Sequence, residues 1–340
     1  MLVDVHLSAL RPTGAAARAV ELAAAGVDGL FTFEGQHDVF FPLVLASQVV
    51  DLDLMTNVAI ALPRSPMHMA NSAHDVALLS GGRFRLGLGT QIQPHIEKRY
   101  GSTWSDPVGR MREYIGAMRA IFSSWTTGER LNFRGQYTTH TIMTPAFNPG
   151  PLPGGPPPIY IGALGPKLTA MTAEVADGLL VMPFNSERHF TEHTMPAVRS
   201  GLAAGGRALA DLDIVSCAIV ATGESDEAIG VALKAVKGLL SFYGSTPAYK
   251  RVLDAEGFGH IQPELNRLSK LGDWVSMSAL IPDDLARRIA VVGTPAQCAA
   301  EINRRFGAVS HRVCAYFPGY QISDATLATL VSHIHNVGMP

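Results

Sequence analysis

The stretch Pro158-Ile159-Tyr160-Ile161-Gly162-Ala163-Leu164-Gly165-Pro166-Lys167, continued through Leu168 to Met182, decides the fold. Ile159 to Gly162 is a short β-branched and aromatic run that reads as a strand. Lys167 to Val175 reads as a helix, and Pro166 suits its first turn, where a missing N–H removes no hydrogen bond. Gly178 to Met182 returns to a strand pattern. A strand, a glycine-rich turn, a helix and a second strand make one β/α unit, and such a crossover joins parallel strands.

The same alternation extends in both directions. Strand patterns cover Leu2 to Leu7, Gly29 to Phe33, Asp53 to Leu62, Phe84 to Gly89, Ile214 to Thr222 and Arg312 to Phe317, which with the two above makes eight. Helical patterns fill Ala15 to Ala25, Met69 to Leu79, Val108 to Phe122 and Asp226 to Leu240, with Gly26 placed to end the first. The fold class is therefore α/β, as a closed (β/α)8 TIM barrel. An open doubly wound sheet would bring a dinucleotide loop, and Gly-x-Gly-x-x-Gly is absent: Gly87-Leu88-Gly89-Thr90-Gln91-Ile92 lacks the third glycine. Gly-Lys does not occur as a dipeptide, which removes a Walker-A loop. Residues 1–340 read as a single barrel domain with insertions at about 125–157, rich in Pro and Gly, and 241–292, long and partly helical.

Composition narrows the function classes. Of 340 residues 47% are hydrophobic and 16% charged, which excludes a disordered chain. Lys and Arg number 27 against 29 Asp and Glu, with no basic run, so no nucleic-acid partner is expected. Cys217, Cys298 and Cys314 are too far apart for a metal or redox spacing and read as reduced structural thiols of a cytoplasmic protein. The N-terminus lacks a signal-peptide pattern, and no apolar run is long enough to span a membrane.

In a barrel of this kind chemistry sits where strands end and the following loops begin. After the second strand, Glu34-Gly35-Gln36-His37-Asp38 puts a carboxylate and an imidazole at the mouth; either could exchange a proton with substrate, or His37 could simply pair with Asp38 and cap a helix near Pro42. The third strand offers an apolar wall for a planar ring or is an ordinary buried strand. The glycines of Leu86 to Gln91 mark a bend or the close approach of another group. At Gly162 to Lys167, free amides at a helix start favour an anion, although such loops also occur without a ligand. His95 and Arg99, four apart, would share a helix face and contact either a polar substrate or solvent. His189 and His193 have the same spacing but no third ligand, so no metal site is expected. The twelve methionines read as core filling, and no Gly-x-Ser-x-Gly elbow occurs.

Several stretches, in order, resemble the bacterial-luciferase-like superfamily of flavin-dependent monooxygenases and coenzyme F420-dependent oxidoreductases. They are Phe33 to Asp38, Ser80 to Gln91, Arg110 to Tyr114, Pro158 to Pro166, Ala173 to Gly178 and Val292 to Pro295. The resemblance implies a cofactor ring at the mouth, beside Gly89, Thr90 and Gln91, with its phosphate on Gly162, Ala163, Leu164, Gly165 and Pro166. It also implies a cis non-proline peptide in the third strand, by position at Ala59-Ile60, and a homodimer. Leu86 to Gln91 followed by His95-Ile96-Glu97 is similar to the F420 branch. Where the sugar-phosphate dehydrogenases of that branch carry Asp-His after the second strand, this chain has Phe33-Glu34, with His37 three residues on. The implied activity is hydride transfer between coenzyme F420 and a small carbonyl, enone or alcohol, with His37 or Glu34 moving the proton. His95 and Arg99, and His260 and Arg251 of the second insertion, are the expected substrate contacts. The alternatives are an FMN-dependent monooxygenase and a non-catalytic flavin-binding barrel.

Overall fold

The computed structural model describes residues 1–7 and 11–336. Eight parallel strands form the barrel: β1 (Leu2–His6), β2 (Gly29–Thr32), β3 (Asp53–Thr56), β4 (Phe84–Gly89), β5 (Ile159–Ala163), β6 (Gly178–Val181), β7 (Asp213–Thr222) and β8 (Arg312–Tyr316). They neighbour one another in chain order, and β8 closes on β1 with Val3 opposite Val313. Each lies inside a run read as a strand, apart from its last or first residue, because both faces of the strand are buried, one by the lumen and the other by helices, which writes a short apolar run into the sequence. The helices Ala15–Ala24, Pro66–Leu79, Pro107–Thr127, Pro166–Val175, Pro295–Phe306 and Asp324–Asn336 contribute to the outer ring. Their inner faces meet Val3, Val5, Leu54, Leu86, Ile159 and Val313 in the main core.

Three boundaries differ from the sequence reading. The run Asp53 to Leu62 is not one strand: β3 stops at Thr56 and pairing with β4 resumes at a short strand, Ala59–Ile60. The ladder passes from Met55 opposite Arg85 to Ala59 opposite Leu88, so one extra residue bulges out of the third strand. The cis peptide is there, at Asn57-Val58, and not at Ala59-Ile60. The Thr56 hydroxyl takes the place of the missing ladder bonds, donating to the Gly87 carbonyl at 2.8 Å and accepting from the Gly87 amide at 2.9 Å. Gly87 has to be glycine, since a Cβ would stand 1.9 Å from the Thr56 carbonyl oxygen.

The other two concern the segments outside the simple repeat. The helix before the first continues through Thr127, so Trp125 is a buried helical residue and the departure begins at Gly128, whose φ of +74° ends the helix. The helix Asp226–Ser245 likewise runs past Ser241, and Val291–Gly293 is a further strand paired with the outer end of β7. Between them lie the short helices Lys250–Ala255, Gln262–Leu271, Trp274–Ala279 and Asp283–Ile289. They share a second core with Leu164 and Phe184, from the loops after β5 and β6, and with Ile219 and Ala221 of β7.

The lumen is layered. At the end where the strands begin, the buried Arg312 of β8 bonds to Asp4 of β1 and to Asp53 of β3, while Arg85 of β4 reaches Asp53 at 2.9 Å and Tyr160 of β5 donates to Asp213 of β7 at 2.5 Å. Arg312–Asp53 and Tyr160–Asp213 bridge strands that are not neighbours, so these two cross the interior, and with the adjacent-strand pairs Arg312–Asp4 and Arg85–Asp53 they form a charged floor. Above it Phe31, Met55, Leu180, Val215 and Cys314 fill the middle. The upper layer, at the strand ends, carries the candidate chemistry.

Candidate active site

One side of the mouth is a latch built on Glu34, the second residue beyond β2. One carboxylate oxygen accepts from the Ile60 amide at 2.9 Å and from Arg64 at 2.5 Å; the other accepts from the Tyr100 hydroxyl at 3.1 Å. Arg64 also donates to Asp38 at 3.1 Å, and Arg99 donates to the Gly35 carbonyl at 2.6 Å. Loops after β2, the third strand and β4 are thereby tied together, over an apolar patch of Ile60, Leu62, Ile96, Tyr100 and Trp104. Glu34 has no oxygen left without a partner, and its geometry is that of a residue that holds the mouth in shape. Arg99 belongs to this latch, whereas sequence alone left it between substrate and solvent.

The His37–Asp38 pair, the alternative to a proton-transferring His37, is absent among the described residues. Asp38 accepts from the Phe40 amide at 2.8 Å, at the entry to the helix Phe41–Ser47, and its second oxygen is held by Arg64. His37 is exposed and makes no hydrogen bond to a described residue. His95 sits in the short helix Gln93–Lys98 with Nδ1 buried and without a hydrogen-bond partner among the described residues; burial, and then the neighbouring Arg99 charge, hold its imidazole below its ordinary pKa. Gln91 stands at φ +59°, its side-chain oxygen accepting from the Ile92 amide, and the Thr90 hydroxyl donates to the Gln91 carbonyl.

The two strand-end glycines expected at the cofactor face the bulge. A Cβ on Gly89 would lie 2.4 Å from the Val58 side chain, and one on Gly162 would lie 3.0 Å from it. Val58 is thus seated in the space that both glycines leave open, with Ala59 and Ile60 buried behind it. Beyond Ala163, the last residue of β5, the chain runs through Leu164 to Gly165, which precedes the helix Pro166–Val175 and gives it no side-chain cap. The Lys167 and Leu168 amides lie in the first turn, where no helical carbonyl can accept them. The face of Gly165 that a Cβ would occupy is open except for the Arg251 guanidinium at 3.9 Å. An uncapped helix start, an open glycine and a guanidinium form a cradle for an anion. The structure brings Arg251 here from the second insertion, whereas His260 is exposed and lies against Phe258, in a turn packed on the helices Lys250–Ala255 and Gln262–Leu271. A groove of about 520 Å³ lined by Arg119, Phe122, Pro156, Ile159 and Asp177 sits at the opposite end, where β5 and β6 begin, away from these groups.

Sequence reasoning passed over the top of the lumen. His6 ends β1 with its imidazole stacked on Phe33, ring centres 4.4 Å apart, and edge-on to Tyr316 at 6.0 Å. Burial pushes its pKa down to about 4, so the ring is neutral at physiological pH. Asn57 of the bulge donates to the Cys217 sulfur at 3.1 Å. The signal for His6 was its parity with Asp4 in the alternation Val3, Asp4, Val5, His6, with both valines packed outward.

The barrel has counterparts among known proteins. The profile of the luciferase-like monooxygenase family matches residues 3–312. The chain belongs to that family. An uncharacterized protein of Mycobacterium tuberculosis is 45% identical over 89% of each chain. A putative coenzyme F420-dependent oxidoreductase of the same organism is 30% identical, over 79% of this chain and 80% of its own. The structure of the coenzyme F420-dependent tetrahydromethanopterin reductase of Methanopyrus kandleri superposes with a TM-score of 0.80 over 98% of this chain and 97% of that one, at 17% identity, and shares the fold.

Proposed function

We propose that this chain is a coenzyme F420-dependent oxidoreductase that moves a hydride between the deazaflavin ring and a small carbonyl, enone or alcohol. The observation that carries the reading is the uncapped start of the helix Pro166–Val175 beside Gly165 and Arg251, a fit for a phosphorylated cofactor arm at the end of a central barrel strand. The 30% identical relative named for coenzyme F420 supports the choice of cofactor. When bound, the deazaflavin supplies the carbon that gives or takes the hydride. Gly165, Lys167, Leu168 and Arg251 would hold its phosphate, and Val58, Gly89 and Gly162 would form the wall nearest its ring. The Glu34–Arg64–Tyr100 latch fixes the loops on the other side, which keeps the reacting partners in one geometry. His37, exposed on the loop after β2, is the proton carrier in this reading.

Titration of the purified chain with coenzyme F420 and, separately, with FMN tests the assignment by absorbance. A saturable response to coenzyme F420 with none to FMN is the expected result. FMN binding, with oxygen uptake when reduced FMN is supplied, would instead make the protein a monooxygenase, and cofactor binding without turnover of any donor would overturn the enzymatic reading.

The same reading makes the protein a cytoplasmic homodimer. Phe41, Leu45, Val49, Leu78 and Leu79 stand exposed on and next to the packed helices Phe41–Ser47 and Pro66–Leu79. Such a cluster of large apolar groups is characteristic of a covered surface. Phe41→Asp is expected to give monomers by light scattering; an unchanged mass, or a wild-type monomer, would remove this face as the interface.

A further inference from the structure

Two clusters of aromatic rings meet across the mouth. On the side of β1 and β8, His6, Phe33 and Tyr316 contact one another, with Phe33 and Tyr316 centres 5.9 Å apart. On the insertion side, Tyr243 of the helix Asp226–Ser245 lies 6.1 Å from Tyr249 and 5.9 Å from Phe184. The clusters join at the second core, against which Tyr243, Tyr249 and Tyr316 all pack. The three tyrosines and His6 are only half-buried, and among the described residues none of their hydroxyls or ring nitrogens has a hydrogen-bond partner.

We propose that this row of rings is the substrate subsite, built for an uncharged, flat compound bearing a carbonyl or hydroxyl group, and that it turns away anions. Ring faces take up a planar substrate by offset and edge-on packing, and the spare phenol hydroxyls and imidazole nitrogens bond its oxygen. Lys, Arg, Asp and Glu are absent from the six rings. Burial holds the His6 imidazole neutral and pushes all three phenols above their ordinary pKa, so the row carries no charge at neutral pH. The cations flanking the mouth are engaged elsewhere: Arg64 is bonded to Glu34 and Asp38, Arg99 to the Gly35 carbonyl, and Arg251 stands by Gly165. A carboxylate or phosphate entering the row would shed its water and meet no opposite charge.

The subsite rests on the hydride-transfer reading for its role in turnover, but recognition is measured without cofactor. The full chain is titrated with acetophenone and with benzoate, a flat pair of similar size that differ in charge, by saturation-transfer NMR and calorimetry at neutral pH. Acetophenone is expected to bind at least about tenfold more tightly than benzoate. Tyr243→Phe and Tyr316→Phe, which keep the rings, are each expected to weaken acetophenone by about three- to tenfold, while coenzyme F420 affinity stays within about twofold of wild type. Benzoate binding as tightly as acetophenone, binding of neither compound, or no change in either tyrosine variant would overturn the proposal. Failure of coenzyme F420 to bind, with the acetophenone preference intact, would sink the cofactor reading and leave the subsite standing.

Discussion

Arg312→Met is expected to lower the unfolding free energy by about 3–5 kcal/mol, measured by denaturant melts followed by circular dichroism. The guanidinium is the counter-charge to both Asp4 and Asp53 in the lumen floor and is itself fully buried. Methionine fills most of the volume but leaves two carboxylates with only Arg85 between them, and an uncompensated buried charge is what makes breaking such a cluster costly. A loss below about 1 kcal/mol would mean that water reaches the floor and solvates the acids. The pH dependence has an unusual sign. Burial holds the Asp4 carboxyl up at about 6, against an ordinary 3.8, even though Arg312 and Arg85 pull it down. Its contribution therefore favours folding at acidic pH and is lost as pH rises through about 6, at most about 3 kcal/mol for a shift of this size. Asp4→Asn, which stays neutral, should gain stability relative to wild type between about pH 4 and 7; a difference that is flat with pH would contradict the buried, proton-holding acid.

The second large effect is at Glu34. Glu34→Ala strands the buried Ile60 amide and leaves Asp38 as the one carboxylate partner of Arg64, so a loss of about 2–4 kcal/mol is expected. Turnover should fall by about two orders of magnitude, because the three loops that shape the mouth lose their common anchor. Glu34→Gln keeps a carbonyl oxygen for the Ile60 amide and turns its NH2 to the Tyr100 hydroxyl oxygen as a donor, and most of the activity should return with it. A folded Glu34→Gln variant as inactive as Glu34→Ala would make Glu34 a proton carrier in place of a positioning residue.

The barrel was legible because every strand lies between a lumen and a helix layer, and that double constraint writes itself into short β-branched runs. The break at Asn57 was not, since Val58 and Ala59 keep the apolar pattern going while the backbone bulges, and only the register, Met55 opposite Arg85 but Ala59 opposite Leu88, reveals the slip. The helix that runs on to Thr127 was cut short at Phe122 because Ser123, Ser124, Thr126 and Thr127 are poor helix formers. In the fold their hydroxyls find carbonyls, Thr126 on Phe122, Thr127 on Ser123 and Ser124 on Glu129. At the mouth, the short-range pieces were readable: the glycines, the helix start after Gly165, the polar run from Glu34 to Asp38. What joins them was not, because Arg99 reaches Gly35 and Arg251 reaches Gly165 across distances that no spacing rule encodes.

The mouth is asymmetric in its construction. The β2–β4 half is cross-braced by charged hydrogen bonds from loop to loop, whereas the β5–β7 half leans on the apolar underside of the helices between Asp226 and Ile289. Charged braces tolerate little rewriting, but an apolar contact accepts many side chains of similar bulk. Those helices can therefore drift in sequence, and with them the rings they present at the rim, without disturbing the braced half. Chemistry and appetite are separable in this chain: a new diet could be acquired by editing one segment while the rest of the barrel goes on doing what it did before.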